Sequence, residues 1–206
     1  AGDVNDLSKV YKLDHTHIPS QPVTSDVMME LAGKDLTSYF PVPLHAGCPG
    51  LVTDPSLELS QHQNLTAEIP QAIHKSGAAQ TYDKTKLKNE NWYFHTFLPR
   101  MKPYRKGYYV YDRKSIRSES SWRKWAIVHH RVYDLSNYVY SQERHPADDK
   151  YSFLPNDLVD LFDAQAGEDI SSDFDAFMDS LPSNRRHQTQ QCLDNAFHVG
   201  QRDVRQ

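Results

Sequence analysis

The hydrophobic positions of this 206-residue chain fall in short runs between polar stretches, and the clearest run is Trp125-Ala126-Ile127-Val128. An apolar run of this length, bounded by polar residues, predicts a strand. Val132-Tyr133 resumes the apolar pattern after His129–Arg131, so the two runs predict a hairpin. Two aromatic-rich stretches, "NWYFHTFL" at 91–98 and "GYYVYD" at 107–112, predict further strands. Helix-like spacing occurs in "SDVMMEL" at 25–31, in "NDLVDLF" at 156–162, and in "NRRHQTQQCLDNAFHVG" at 184–200. The last is expected to end at Gly200, because glycine commonly closes a helix. Residues 52–91 are polar and mixed, and predict loop with one short helix near "IPQAIHKSG" at 69–77.

A phrase recurs within this pattern. "LAGKDLTSYF" at 31–40 and "AQAGEDISSDF" at 164–174 share Ala-Gly-X-Asp-(Leu/Ile)-(Thr/Ser)-X-X-Phe. A glycine can close one helix in the left-handed conformation, and Asp or Ser/Thr can cap the next. More than the cap repeats. "VNDLSKVY" at 4–11 matches "VYDLSNYV" at 132–139, and each copy reaches a histidine eleven residues after its Asp, at His17 and His145. Proline follows at Pro19 and Pro146, then a helix-like stretch, then the Ala-Gly phrase. The chain therefore reads as a degenerate tandem repeat. The first copy has only three residues before Val4, so its matching hairpin is missing or lies upstream. Strands from 91–112 would serve to cover the edge this leaves open.

Composition narrows the class. Hydrophobic residues make up 38% and mean hydropathy is -0.74, which predicts long polar loops around modest cores. No apolar run approaches the roughly 18–20 residues of a membrane helix. The chain opens at "AGDVNDLS" and stops at "QRDVRQ", and reads as a piece of a longer protein. The net charge of -4 is unevenly placed. Nine Lys/Arg lie between Arg100 and Lys124, interleaved with tyrosines, and ten Asp/Glu lie between Pro146 and Ser180. A basic, tyrosine-rich stretch can bind phosphate or sugar, or can be a solvated strand edge. An acidic chain with no recognition motif excludes nucleic acid as a partner. Two cysteines, Cys48 and Cys192, are too few and too far apart for a zinc site. "NLT" at Asn64 is a glycosylation sequon.

"WAIVHHRVYDLSNYV", then His145-Pro146, then "VDLFDAQAGEDISSDF" resembles the cytochrome b5-like pattern of hairpin, His-Pro turn and capped helices. More closely, "AGKDLTSYFPVPLHAGCPGL", the tyrosine-rich stretch, "YSFLPNDLVDLF" and "CLDNAFHVG" resemble the non-catalytic region of fungal class IV/V chitin synthases. The resemblance covers roughly residues 26–52 and 104–203. It implies an α+β chain of b5-like fold, built as a degenerate tandem pair. An incomplete half would occupy 1–51, a polar linker with strands 52–103, and a fuller b5-like domain with a C-terminal helix 104–206.

The resemblance implies a membrane-bound parent that joins N-acetylglucosamine from UDP-GlcNAc in cell-wall biogenesis. The chain has no Gln-X-X-Arg-Trp acceptor motif, and its single Asp-X-Asp, Asp173-Phe174-Asp175, spans the end of the repeated Ala-Gly phrase rather than a recognisable sugar-nucleotide site, so the chain is expected to be a non-catalytic accessory domain. It would sit on the extracytoplasmic side, at the plasma membrane or in secretory vesicles. Its partners would be the parent's remaining domains and membrane spans, nascent chitin, or another subunit. Such a compartment favours a Cys48–Cys192 disulfide. The resemblance also implies a further cysteine beyond residue 206, with which Cys192 could pair instead. A b5 module binds haem through two opposed imidazoles. The second copy offers His145, but its second position, five residues past Phe174, is Asp179, and His187 lies too far along. The first copy offers His17 and His45 but lacks its hairpin. No cofactor is therefore expected, and a haem-binding electron-transfer domain is the alternative. Trp92, Tyr93 and Phe94 offer a face for stacking on sugar, the mark of a carbohydrate-binding module, or are core. His62, His74, His129 and His130 are expected at the surface.

Overall fold

The computed structural model describes residues 2–9, 25–62 and 73–205. Its first elements are β1 (Asp3–Asn5), α1 (Ser25–Met29) and α2 (Leu44–Gly47). A π-helical stretch at Trp92–Phe97 leads into α3 (Leu98–Met101), followed by β2 (Arg105–Tyr108), β3 (Val110–Tyr111) and α4 (Arg113–Ser118). Then come β4 (Trp125–Val128), β5 (Arg131–Asp134), α5 (Ser136–Arg144), α6 (Asn156–Ala164), α7 (Ser171–Ser180) and α8 (Ser183–Cys192). A π-helical turn at Leu193–Phe197 extends α8, and β6 (His198–Arg202) closes the series.

One sheet organises the second half, with strand order β3-β6-β5-β4. β4 and β5 pair antiparallel with Trp125 opposite Asp134 and Val128 opposite Arg131, so the apolar runs do form the hairpin. Both faces of β4 are covered, which is why its four residues are all apolar. Trp125 and Ile127 pack with Ile116 and Val132 on one side. Ala126 and Val128 face Tyr133, Leu135 and the buried residues of α5 to α8 on the other. The Trp125 indole donates to the Ile116 carbonyl at 2.9 Å, fixing α4 on that face. The outer edge of β4 is also paired. Ile127 N donates to Glu168 O at 2.8 Å and Ile170 N to Ile127 O at 2.9 Å. The Ala-Gly phrase of the second copy thus seals a strand edge that would otherwise be bare.

The two copies of the repeated phrase share local structure. Gly33 and Gly167 adopt φ of 76° and 84°, after α1 and α6 respectively. Asp35 Oδ1 accepts from the Thr37 amide at 2.8 Å and hydroxyl at 2.6 Å. Asp169 Oδ1 accepts likewise from Ser171, at 3.3 and 2.5 Å. The upstream "DLS" pairs correspond too, with the Ser8 amide on Asp6 at 3.0 Å and the Ser136 amide on Asp134 at 2.9 Å. Their sheets differ. Among the described residues β1 pairs only with β2, in a two-stranded ribbon, whereas β5 is an inner strand of the larger sheet. Residues 10–24, with His17 and Pro19, lie outside the described residues.

Three expectations are corrected. Residues 92–97 are helical, not a strand, because Tyr93 packs inward at 5% exposure while Trp92 and Phe97 stack at 5.5 Å one turn apart. The helix expected to reach Gly200 ends at Phe197. His198–Arg202 instead runs between β3 and β5, and a side chain at Gly200 would lie 2.5 Å from the Tyr109 carbonyl oxygen. Finally, 52–103 is not a linker with strands. Its described residues hold no strand, and Val52 and Leu57 join Leu44, Cys48 and Leu51 in the main core. Sufficient apolar residues sit among the polar ones to bury this stretch.

Candidate functional site

The segment from α2 to His62 is a strap across the helical half of the domain. Cys48 and Cys192, both fully buried, are joined by a disulfide with their Cα atoms 4.2 Å apart although they are 144 positions apart in sequence. Asn195 Nδ2 donates to the Gly47 carbonyl at 2.8 Å beside it. Beyond the disulfide, the Ser60 amide donates to Ser141 Oγ at 2.7 Å and the His62 amide to Asn137 Oδ1 at 2.8 Å, so the strap ends along α5. His62 is half-buried against Trp122 and Tyr140 rather than lying free at the surface. His74 is half-buried too, stacked on Phe40 at 4.5 Å. Asn64 lies outside the described residues.

Of the histidines singled out for haem, the two described ones sit on separate elements, His45 on α2 and His145 at the end of α5. His17 is outside the described residues. His45 sits half-buried on α2, near Asp54, whose carboxyl is held below its usual range by the Ser56 hydroxyl and amide and, more weakly, by Lys150 and His45. His145 caps the C-terminus of α5 and stacks on Tyr151, ring centroids 4.4 Å apart and nearly parallel. Asp179, at the second-ligand position, is tied to α8. The Arg186 guanidinium lies 3.2 Å from its carboxylate and donates to its backbone carbonyl at 3.0 Å.

Asp179 and Arg186 belong to a groove that sequence reasoning did not find. A cavity of about 520 Å³ lies between the β4–β5 turn and the facing parts of α7 and α8. Phe174 and Met178, largely buried, form its apolar floor. Polar side chains rim it. His129 Nε2 is 2.9 Å from Asp175 Oδ2, while Ser183, His187 and Gln190 line the α8 side. His129 and His130 are exposed as expected, but both take positive φ, 46° and 69°, which non-glycine residues rarely adopt. Ser171 Oγ accepts from the His129 amide at 2.9 Å, and Arg202 meets His130 Nδ1 at 3.2 Å, so the turn is held from both sides. The only sequence trace of this groove was the acidic spacing of Asp175 and Asp179 along one helix, which a solvated face would also show.

Behind the groove lies a second polar network. The Tyr133 hydroxyl donates to Asp194 Oδ1 at 2.6 Å, and Arg131 donates to the same oxygen at 2.7 Å. Burial, reinforced by Asp194, pushes the Tyr133 phenol up to about 12. The uneven charge of the sequence is partly consumed within the fold. Arg117 pairs with Glu168 at 2.7 Å, Lys124 with Asp163, and Arg123 with Asp134 at 2.5 Å. Among the described residues no group of three or more His, Cys, Asp or Glu is arranged to hold a metal ion. No described helix is long and apolar enough to cross a membrane.

No family model matches the chain. It is similar along its length to parts of several fungal proteins. It is 48% identical over 204 residues to chitin synthase 6 of Mycosarcoma maydis, which covers 99% of this chain and 17% of that protein. It is 42% identical over 212 residues to chitin synthase 4 of Cryptococcus neoformans var. grubii, covering 100% of this chain and 17% of the relative. With chitin synthase csmB of Aspergillus niger the identity is 37% over 207 residues, 99% of this chain and 11% of the relative. The chain thus corresponds to a region of fungal chitin synthases and spans less than a fifth of their length.

Proposed function

We propose that this chain is a non-catalytic, extracytoplasmic accessory domain of a membrane chitin synthase, built on a degenerate cytochrome b5-like scaffold. The observation that carries the reading is the similarity over essentially the whole chain to regions of chitin synthases. The scaffold is supported by the order of elements, with a hairpin, a helix ending at a His-Pro turn, a helix, a capped Ala-Gly phrase, two helices and a returning strand. The buried Cys48–Cys192 bond supports an oxidising compartment.

The described residues do not fit haem. A six-coordinate b5 site needs two imidazoles on one iron. Here Asp179 is bound to Arg186, His145 is stacked on Tyr151, and the first copy's His45 rides on the strap. The domain serves the parent by shape and contact, as a rigid body against which other parts of the enzyme or its product are positioned. No group here is assigned to glycosyl transfer.

The test uses the full-length parent with an epitope inserted at the Gly77–Ala79 turn. In sealed secretory vesicles the epitope is expected to resist added protease until detergent opens them. Cleavage in intact vesicles would place the domain in the cytoplasm and sink the reading. Transfer of labelled N-acetylglucosamine by the purified chain alone would overturn the non-catalytic part.

A further inference from the structure

We propose that the groove between the β4–β5 turn, α7 and α8 binds an oligosaccharide of N-acetylated amino-sugar units. This deepens the chitin synthase reading and rests on it, because it names the product polymer as the groove's occupant. A cavity of about 520 Å³ falls within the roughly 300–1,000 Å³ of small-ligand sites. Chemistry then selects the ligand. Phe174 and Met178 give an apolar floor, suited to the C–H faces of pyranose rings and the methyl of an acetamido group. The rim supplies both donors and acceptors from three separate elements, suited to hydroxyls and amides.

Charge narrows the choice further. Asp175 is already paired with His129, and Asp179 with Arg186. An anionic ligand such as a sugar nucleotide would approach two carboxylates, and a cationic one would compete with Arg186 for them. A neutral ligand with many hydroxyls meets neither penalty. Unused hydrogen-bonding capacity points the same way. Arg186 Nε is shielded from solvent without a protein acceptor. Exposed Ser183 and His187 have no side-chain hydrogen bond among the described residues, although both line the groove. A shielded donor such as Arg186 Nε gains by meeting a ligand's polar atom, whereas exposed Ser183 and His187 exchange water for one at little cost. The positive φ at His129 adds a rigid wall, since the turn is anchored to Ser171 and does not need to reorganise to accept a ligand.

The experiment titrates chitotriose into the isotopically labelled 206-residue chain and follows amide shifts by NMR, with cellotriose, which lacks acetamido groups, as the comparator. Shifts are expected to cluster at His129, Asp175, Met178, His187 and Gln190. Cellotriose is expected to bind at least tenfold more weakly. His187→Ala and Asp175→Asn, both at exposed helix positions, should each weaken chitotriose at least fivefold without altering the rest of the spectrum. No shifts at millimolar chitotriose, equal binding of cellotriose, or shifts confined to the exposed Tyr108, Tyr109 and Val110 would each overturn the assignment. So would displacement of the sugar by a short lysine-rich peptide at equal concentration. The vesicle experiment does not depend on sugar binding. A protected epitope with a silent groove therefore removes only this inference, whereas a cytoplasmic epitope removes both.

Discussion

At the scale of single residues, Gly33 and Gly167 form a matched pair. Both sit at left-handed φ after a helix, but a side chain at Gly33 would meet open space. At Gly167 it would lie 2.8 Å from the Ser120 Cβ and 3.1 Å from the Ile116 carbonyl oxygen. Gly33→Ala should therefore cost only the left-handed penalty, about 1–2 kcal/mol. Gly167→Ala adds an overpacking term of about 1–3 kcal/mol. Urea unfolding of the two variants checks this, and equal midpoints would count against the packing of α4 on the phrase. Tyrosines give a second residue-scale outcome. Burial holds Tyr93, Tyr133 and Tyr138 up at about 12, from an ordinary 10. The folded state then keeps protons that the unfolded state has released. That stability is complete below about pH 10 and is lost as pH rises toward 12. Absorbance at 295 nm should show part of the twelve tyrosines ionising only together with unfolding, which circular dichroism follows on the same samples.

At the scale of elements, the strap is the feature with the largest consequence. Its disulfide closes a loop across 144 positions, for which the chain-entropy model gives roughly 4–5 kcal/mol of stabilisation. Cys48→Ser with Cys192→Ser should lower stability by about that amount. Hydrogen exchange should speed up first in 48–62, because without the disulfide the far end of the strap is tied to α5 through the Ser60 and His62 amides. Unchanged exchange there would mean that Leu44, Leu51, Val52 and Leu57 alone hold it in the core. The elements also show where sequence patterning works. The β4–β5 hairpin was legible because an apolar run of four followed by a polar turn has few alternatives. The caps were legible because Asp-X-Ser/Thr carries its own hydrogen bonds. "NWYFHTFL" was misread because aromatic residues favour strands, yet Trp92, Phe97 and Phe40 gain more by stacking, at 5.5 and 4.6 Å, in a helical turn. β6 was misread because its pattern continues α8 smoothly, and only its partners β3 and β5, distant in sequence, make it a strand.

At the scale of the whole molecule, the tandem pattern was legible in its caps and not in its sheets. The first copy keeps its glycine and Asp turns but contributes α2 and the strap to the second copy's core. No local pattern announces such a transfer, since it depends on which surface is left uncovered. The groove was illegible for the same reason, its rim coming from a turn and two helices. With α2 and the strap built into the core, the purified chain is expected to be colourless and to show no Soret band after incubation with haemin. Iron would find a carboxylate held by Arg186 where a second imidazole is required, and a hard carboxylate is a poor ligand for low-spin iron. Asp173, Asp175 and Asp179 on α7 would also repel the haem propionates. Asp179→His removes the carboxylate but leaves His145 stacked on Tyr151, so it too should remain colourless. Adding Tyr151→Ala frees the imidazole at the cost of packing that Tyr151 gives the edge of the main core. A Soret band in that double variant alone would show that a cleft persists and that only its ligands were lost. A red wild-type chain that bleaches on His145→Ala would overturn the accessory-domain reading in favour of electron transfer.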